Sequence, residues 1–150
     1  MMEFIMPCLF GLEGPLANEL KHMQLKNVRS ENGRVRFSGE LEDMAKANIR
    51  SRFGERVLIE LAAFEARSFE ELFQGTMAAP WEMFIPRDGA FPVKGHSLNS
   101  QLHSVPDCQK IIKKAVVERL KKKYGVNWFA ETGALYQIQF SIMKDTVSLC

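Results

Sequence analysis

The dipeptide Asn32-Gly33 stands between two short stretches of strand character, and a helical stretch flanks that pair on each side. Asn-Gly is a strong hairpin signal because a tight two-residue turn asks for backbone angles that these residues adopt at little cost. After it, Val35 and Phe37 alternate with Arg34, Arg36 and Ser38, the period of a strand buried on one face. Upstream, "EFIMPCLF" is apolar and of strand length, and "GLEGPLANELKHM" sets Leu12, Leu16, Leu20 and Met23 at helical spacing. Downstream, "ELEDMAKANIRSRFG" predicts a second helix with acids in its first turn, and "RVLIELAAFEA" predicts one largely buried closing strand. The order β-α-β-β-α-β is the split βαβ pattern of a ferredoxin-like fold, assigned to residues 1–66.

A second unit is expected over 67–150. "SFEE" places Ser68 and Glu71 in the reciprocal positions of a capping box, ahead of a helix in "FEELFQG". "PRDG" signals a turn, "AFPVKGHSLNS" reads as extended, and a long helix follows over 105–124. Ser104 is its expected cap, Pro106 suits the first turn, and Gly125 ends the pattern. In "LYQIQFSI", Tyr136, Ile138, Phe140 and Ile142 alternate with Gln137, Gln139 and Ser141, as in a half-buried strand. "MKDT" turns the chain and "VSLC" begins another strand, an end that leads us to expect a fragment of something longer. The fold class is therefore α+β throughout.

The long helix raises the functional question. At about 100° per residue, Lys110, Lys114 and Lys121 fall within roughly 40° of one another, and Lys113 borders the same face. Ile111, Ile112, Ala115 and Val116 point the other way, and Arg119 falls within that apolar stripe, where its stem can pack and its head reach water. Lys122 and Lys123 add charge at the C-terminal turn, where the helix dipole favours cations. A solvated face is the bland alternative for any lysine row. Here acids are nearly absent, Lys94, His96 and His103 adjoin, and the loop "HSLNSQLHS" offers the hydroxyls of Ser97, Ser100 and Ser104. Such a loop and a helix N-terminus suit phosphate oxygens. The charge balance agrees: residues 1–86 hold 10 Lys/Arg and 13 Asp/Glu, whereas 87–150 hold 10 and 5. The second half should attract a polyanion.

Other chemistries find less support. His96, His103 and Cys108 match no familiar zinc spacing, so no metal is expected. The three cysteines, Cys8, Cys108 and Cys150, are far apart and odd in number, which points to free thiols in a reducing cytoplasm. Trp81, Trp128 and Phe129 can stack on bases, although buried anchors are the more economical expectation. No G-x-G-x-x-G, P-loop or G-x-S-x-G motif occurs, and no acid–base constellation is evident. The 46% hydrophobic content is spread over short runs, none near the roughly 20 residues of a membrane helix.

The segments "ENGRVRFSGELEDMAKANIRSRFGERV", "SFEELFQGTMAAPWEMFIP", "FPVKGHSLNSQLHSVPDCQKIIKKAVVERLKKKYG" and "WFAETGALYQIQFSIMKD" together give the chain a resemblance. It resembles the N-terminal region of bacterial THUMP-domain RNA methyltransferases. More narrowly, it is similar to the group that modifies guanine N2 in large-subunit (23S) ribosomal RNA. Members of that group often carry the label of N6-adenine-specific DNA methylases. The resemblance implies a ferredoxin-like domain followed by a THUMP domain, a pair that binds RNA. It also implies a Rossmann-type catalytic domain, using S-adenosylmethionine, beyond Cys150. No catalytic or cofactor-binding residue is then expected within 1–150. Two other readings stay open: the N-terminal part of a DNA adenine N6-methylase, and a protein-interaction module using the basic helix.

Overall fold

Strand β1 (Met2–Pro7) leads into helix α1 (Glu13–His22), and a hairpin of β2 (Lys26–Glu31) and β3 (Arg34–Gly39) follows. In the computed structural model, which describes residues 1–150, Gly33 takes a φ of 76°, and Glu31 pairs with Arg34 across the two-residue turn. Helix α2 (Leu41–Arg50) and strand β4 (Leu58–Glu60) complete the order. The sheet runs β2-β3-β1-β4, with every neighbouring pair antiparallel. Each helix thus joins two strands with one strand inserted between them, the ferredoxin-like arrangement.

The alternation in this unit has a physical outcome. Phe4 and Phe37 face each other across β1 and β3 with ring centroids 5.2 Å apart. With Met6, Val35, Leu16, Leu20 and Ala47 they form the core under the two helices. The opposite face is ionic. Arg36 pairs with Glu60 and, at 2.6 Å, with Glu31, while Arg29 pairs with Glu3. Burial alone would raise the Glu31 carboxyl, but the bonds from Arg34 and Arg36 bring it below its ordinary range.

The expected single strand over "RVLIELAAFEA" is instead two. β4 pairs with β1, whereas β5 (Ala62–Glu65) belongs to a second sheet. The switch falls at Leu61, whose N–H donates to the Leu149 carbonyl at 2.8 Å. Only Glu60 interrupts the apolar residues there, and it is no turn residue, so periodicity could not reveal where the pairing partners change. The two compact units are Met1–Glu60 and Leu61–Cys150.

In the second unit, helix α3 (Phe69–Met77) is capped as expected: the Ser68 hydroxyl accepts the Glu71 N–H at 3.2 Å. The Glu71 carboxylate returns to the Arg67 N–H and the Ser68 hydroxyl, not to the Ser68 N–H. A 3-10 turn at Trp81–Met83, strand β6 (Val93–Leu98), helix α4 (Val105–Tyr124), and strands β7 (Ile138–Met143) and β8 (Thr146–Leu149) follow. The sheet order is β5-β8-β7-β6, with β6 and β7 parallel and joined by α4. Parallel neighbours need such a crossover. β7 and β8 are antiparallel across Lys144 and Asp145, whose φ values of 50° and 65° suit a tight turn. Leu72, Trp81, Phe91, Ile112, Leu120, Phe140 and Ile142 share one buried core. The Trp81 indole N–H, enclosed there, donates to the Thr76 carbonyl at 2.7 Å. No helix is long and apolar enough to cross a membrane.

Candidate nucleic-acid interface

Helix α4 carries the basic residues because one side of it is fully committed to the core. Cys108, Ile112, Ala115, Val116 and Leu120 are buried, and burial pushes the Cys108 thiol up, with Asp107 adding to it. Gly125 stops the helix in the left-handed region, at φ 67°, and its N–H closes on the Lys121 carbonyl at 2.9 Å. At the other end Ser104 is the N-cap residue, but its side chain makes no cap bond. A cap oxygen ordinarily takes the N–H of the second or third helical residue, and Pro106 at the second has none to give.

The lysines divide by role. Lys110 and Lys114 stand in solvent. Lys121, on the same face, is about one-third exposed, with Glu118 3.7 Å away. Lys122 and Lys123 are exposed in the last turn, where three lysines oppose the negative end of the helix dipole. They share the rim of a shallow groove of about 710 Å³ between α3 and α4 with Phe73, Gln74 and Met77. Lys113 is different. Its ammonium lies 3.7 Å from the centre of the Phe91 ring and donates to the Phe91 carbonyl at 2.9 Å and to Glu131 at 2.7 Å. Burial would raise the Glu131 carboxyl, yet the bonds from Lys113 and from the Phe91 N–H hold it below its ordinary range. Lys113 therefore fixes a loop to the helix.

Lys94 and His96 are exposed on β6, two residues apart on one face of the strand. The loop that follows is tied inward. Ser97 donates to the Leu102 carbonyl at 2.6 Å, and Ser100 donates to the Leu98 carbonyl at 2.9 Å while accepting the Asp145 N–H. Asp145 accepts the Gln101 N–H at 2.8 Å, and His103 contacts the Gln101 carbonyl at 3.1 Å. The two serine hydroxyls thus shape the loop, whose exposed side chains are Asn99, Gln101 and His103, while Lys94 and His96 are exposed on the strand before it. Cys108 is buried away from both exposed histidines, and no three His, Cys, Asp or Glu side chains converge as a metal site.

The aromatic trio separates as well. Trp81 and Phe129 are anchors, 1% and 9% exposed, but Trp128 is 78% exposed. Its immediate neighbour Phe129 takes the inward position, packing edge-on against Phe91 at 6.0 Å. Adjacent residues of a non-helical segment seldom both enter one core. The pair Trp128-Phe129 carried that signal, without saying which of the two would turn out.

Two family models match the chain: the RlmL ferredoxin-like domain over residues 3–58 and the THUMP domain over 66–150. YpsC of Bacillus subtilis (strain 168), which bears the name of an RNA methyltransferase, is 42% identical over 90% of this chain and 35% of its own length. A ribosomal RNA large subunit methyltransferase K/L of Psychromonas ingrahamii is 32% identical over 83% of this chain and 17% of its own. Among solved structures, a Listeria monocytogenes protein described as a predicted N6-adenine-specific DNA methylase superposes with a TM-score of 0.94. It is 42% identical, and the match covers 99% of this chain and 39% of that one. The chain thus spans about a third or less of the curated relatives it matches.

Proposed function

The chain belongs to the THUMP-domain family, with an RlmL ferredoxin-like domain ahead of it, and from that premise we propose that residues 1–150 are an RNA-binding module. It captures large-subunit ribosomal RNA in the cytoplasm and positions it for a guanine-N2 methyltransferase domain beyond residue 150. The observation that carries the reading is the solvent-facing lysine row of α4, in which Lys110 and Lys114 are exposed. The names of the Bacillus and Psychromonas relatives support an RNA substrate.

Capture is electrostatic. Each phosphate neutralised by a lysine releases condensed counterions, which drives association without reading sequence. Lys94, His96 and His103 extend the cationic and hydrogen-bonding surface beside the helix, and Lys121 and Lys122 continue it toward the C-terminal turn. S-adenosylmethionine would supply the methyl group in the catalytic domain. The residues present here do not fit it: the one β-α-β crossover between parallel neighbours joins β6 to α4 through residues 99–104, which include no glycine.

Binding of the 150-residue chain to RNA and to DNA of one sequence, at matched salt, tests the proposal. Tighter binding to RNA supports it, because a 2′-hydroxyl distinguishes the two polymers. A preference for DNA would favour the activity named for the Listeria protein.

A further inference from the structure

The segment after α4 turns back along the helix that carries the lysines. It starts at Gly125, fixed to Lys121, and by Glu131 it has reached Lys113, twelve residues back along α4. At 1.5 Å per residue this return covers about 18 Å. Val126 and Phe129 pack against the core, as do Val117 and Tyr124 on the helix. Tyr124 is held by its hydroxyl, which donates to the Ile85 carbonyl at 2.6 Å. Lys113 lies about 60° around the helix from Lys110, so the returning segment runs along the border of the lysine row.

Trp128 projects from this anchored segment. Its indole is 78% exposed, one residue before the buried Phe129 and three before the Glu131 that Lys113 holds. Two acids in this arrangement are paired, Glu131 with Lys113 and Glu118 with Lys121, and Asp107 stands in the first turn of α4, toward the end of the helix away from Trp128. Phe10 and Ile49, as exposed as Trp128, lie in the acidic half, and exposed apolar groups of the basic half such as Leu98 and Leu135 are aliphatic and offer no ring to stack. An exposed aromatic face on an anchored segment beside a row of lysines is the combination by which single-stranded nucleic acids are gripped: cations follow the backbone and the ring stacks on an unpaired base.

We propose that Trp128 is a base-stacking residue, and that the module's preferred ligand is RNA with an unpaired base beside the backbone held by Lys110, Lys114 and Lys121. The inference rests on the RNA-binding reading above and deepens it.

The test measures binding of the 150-residue chain and its Trp128→Ala and Trp128→Phe variants to an oligouridylate and to an RNA duplex of equal length. Trp128→Ala should weaken binding to the single strand roughly ten- to hundredfold, and Trp128→Phe should restore most of it. Duplex binding should change less than about twofold, because paired bases offer no face to the ring. The salt dependence should keep its slope, since stacking releases no counterions. In the parent chain the single strand should quench the exposed indole, and the quench should vanish in Trp128→Ala, where only the enclosed Trp81 remains. If Trp128→Ala bound both ligands like the parent while lysine replacements weakened both, the stacking role would be overturned and the RNA reading would stand. Equal losses on duplex and single strand would overturn stacking too. A parent chain that bound neither RNA would remove both proposals together.

Discussion

Arg119 grips Glu82 with two parallel bonds, Nε to Oε2 at 2.9 Å and Nη2 to Oε1 at 2.8 Å, linking α4 to the 3-10 turn that holds Trp81. This is the arginine whose place in the apolar stripe of α4 predicts a packed stem and a solvated head. The structure gives the head a partner instead, and the same guanidinium also reaches the Met77 carbonyl at 3.4 Å. A bidentate fork on a carboxylate is among the stronger pairs available to a half-buried arginine.

That pairing has a pH signature. The bonds from Arg119 hold the Glu82 carboxyl down from 4.5 to about 2, against an opposing effect of burial. A carboxyl lowered in the folded state stabilises the fold above its unfolded value, and the contribution fades as pH falls through the folded one. Stability measured by urea midpoints should therefore drop between about pH 4.5 and pH 2. Glu82→Gln should be less stable at neutral pH by roughly 1.5–3 kcal/mol and flatter across that window. An unchanged slope in the variant would assign the acid sensitivity to other carboxylates.

Ser68→Ala removes the side-chain oxygen that accepts the Glu71 N–H. The expected cost is roughly 0.5–2 kcal/mol, read from denaturant unfolding. RNA affinity of the folded molecules should not change. A drop in affinity at parental stability would move the binding surface toward α3.

Gly95 lies opposite Phe140 in the β6–β7 ladder, and a methyl group there would meet both the Phe140 carbonyl and its ring. Either that core ring or the backbone must yield, so Gly95→Ala should destabilise by about 1–3 kcal/mol. Since Lys94 and His96 flank it on an edge strand, RNA affinity should fall with the loss of order in β6. Near-parental stability would mean that β6 relaxes outward at the sheet edge.

What the sequence disclosed, and what it did not, follows from what a pattern encodes. Asn32-Gly33, the alternation about Phe37 and the 3.6-residue spacing of α4 are local signals, and they specified the strands, helices and apolar faces. Partner choice is not local. Nothing in "RVLIELAAFEA" marks Leu61 as the point where pairing passes to another sheet. Lys113 differs from Lys110 by a small rotation about the helix, yet that rotation aims it at Glu131 and Phe91. Ser104 has the right identity for a cap, but Pro106 removes one of its two usual donors and its side chain does not take the other, the Asp107 N–H. Trp128 and Phe129 offered two aromatic residues for one inward position, and only the core decided between them.

The lysine row provides the last prediction. If Lys110, Lys114 and Lys121 bind phosphates, replacing all three with Gln should weaken binding to every RNA about equally, because phosphate binding positions a ligand without reading its bases. The plot of log affinity against log salt should become shallower by roughly 0.7–0.9 for each phosphate no longer neutralised, about two to three in all. The fold should survive, since Lys110 and Lys114 are exposed and Lys121 has only Glu118, at 3.7 Å, as its ionic partner. Lys21→Gln with Lys26→Gln is the control: both side chains are exposed in the acidic half, and Lys46 is avoided because its ammonium donates to the Met23 carbonyl. The control should leave the slope unchanged. If the triple variant kept the parental slope while the control flattened it, the RNA path would run over the first unit, and the lysines of α4 would be a solvated face.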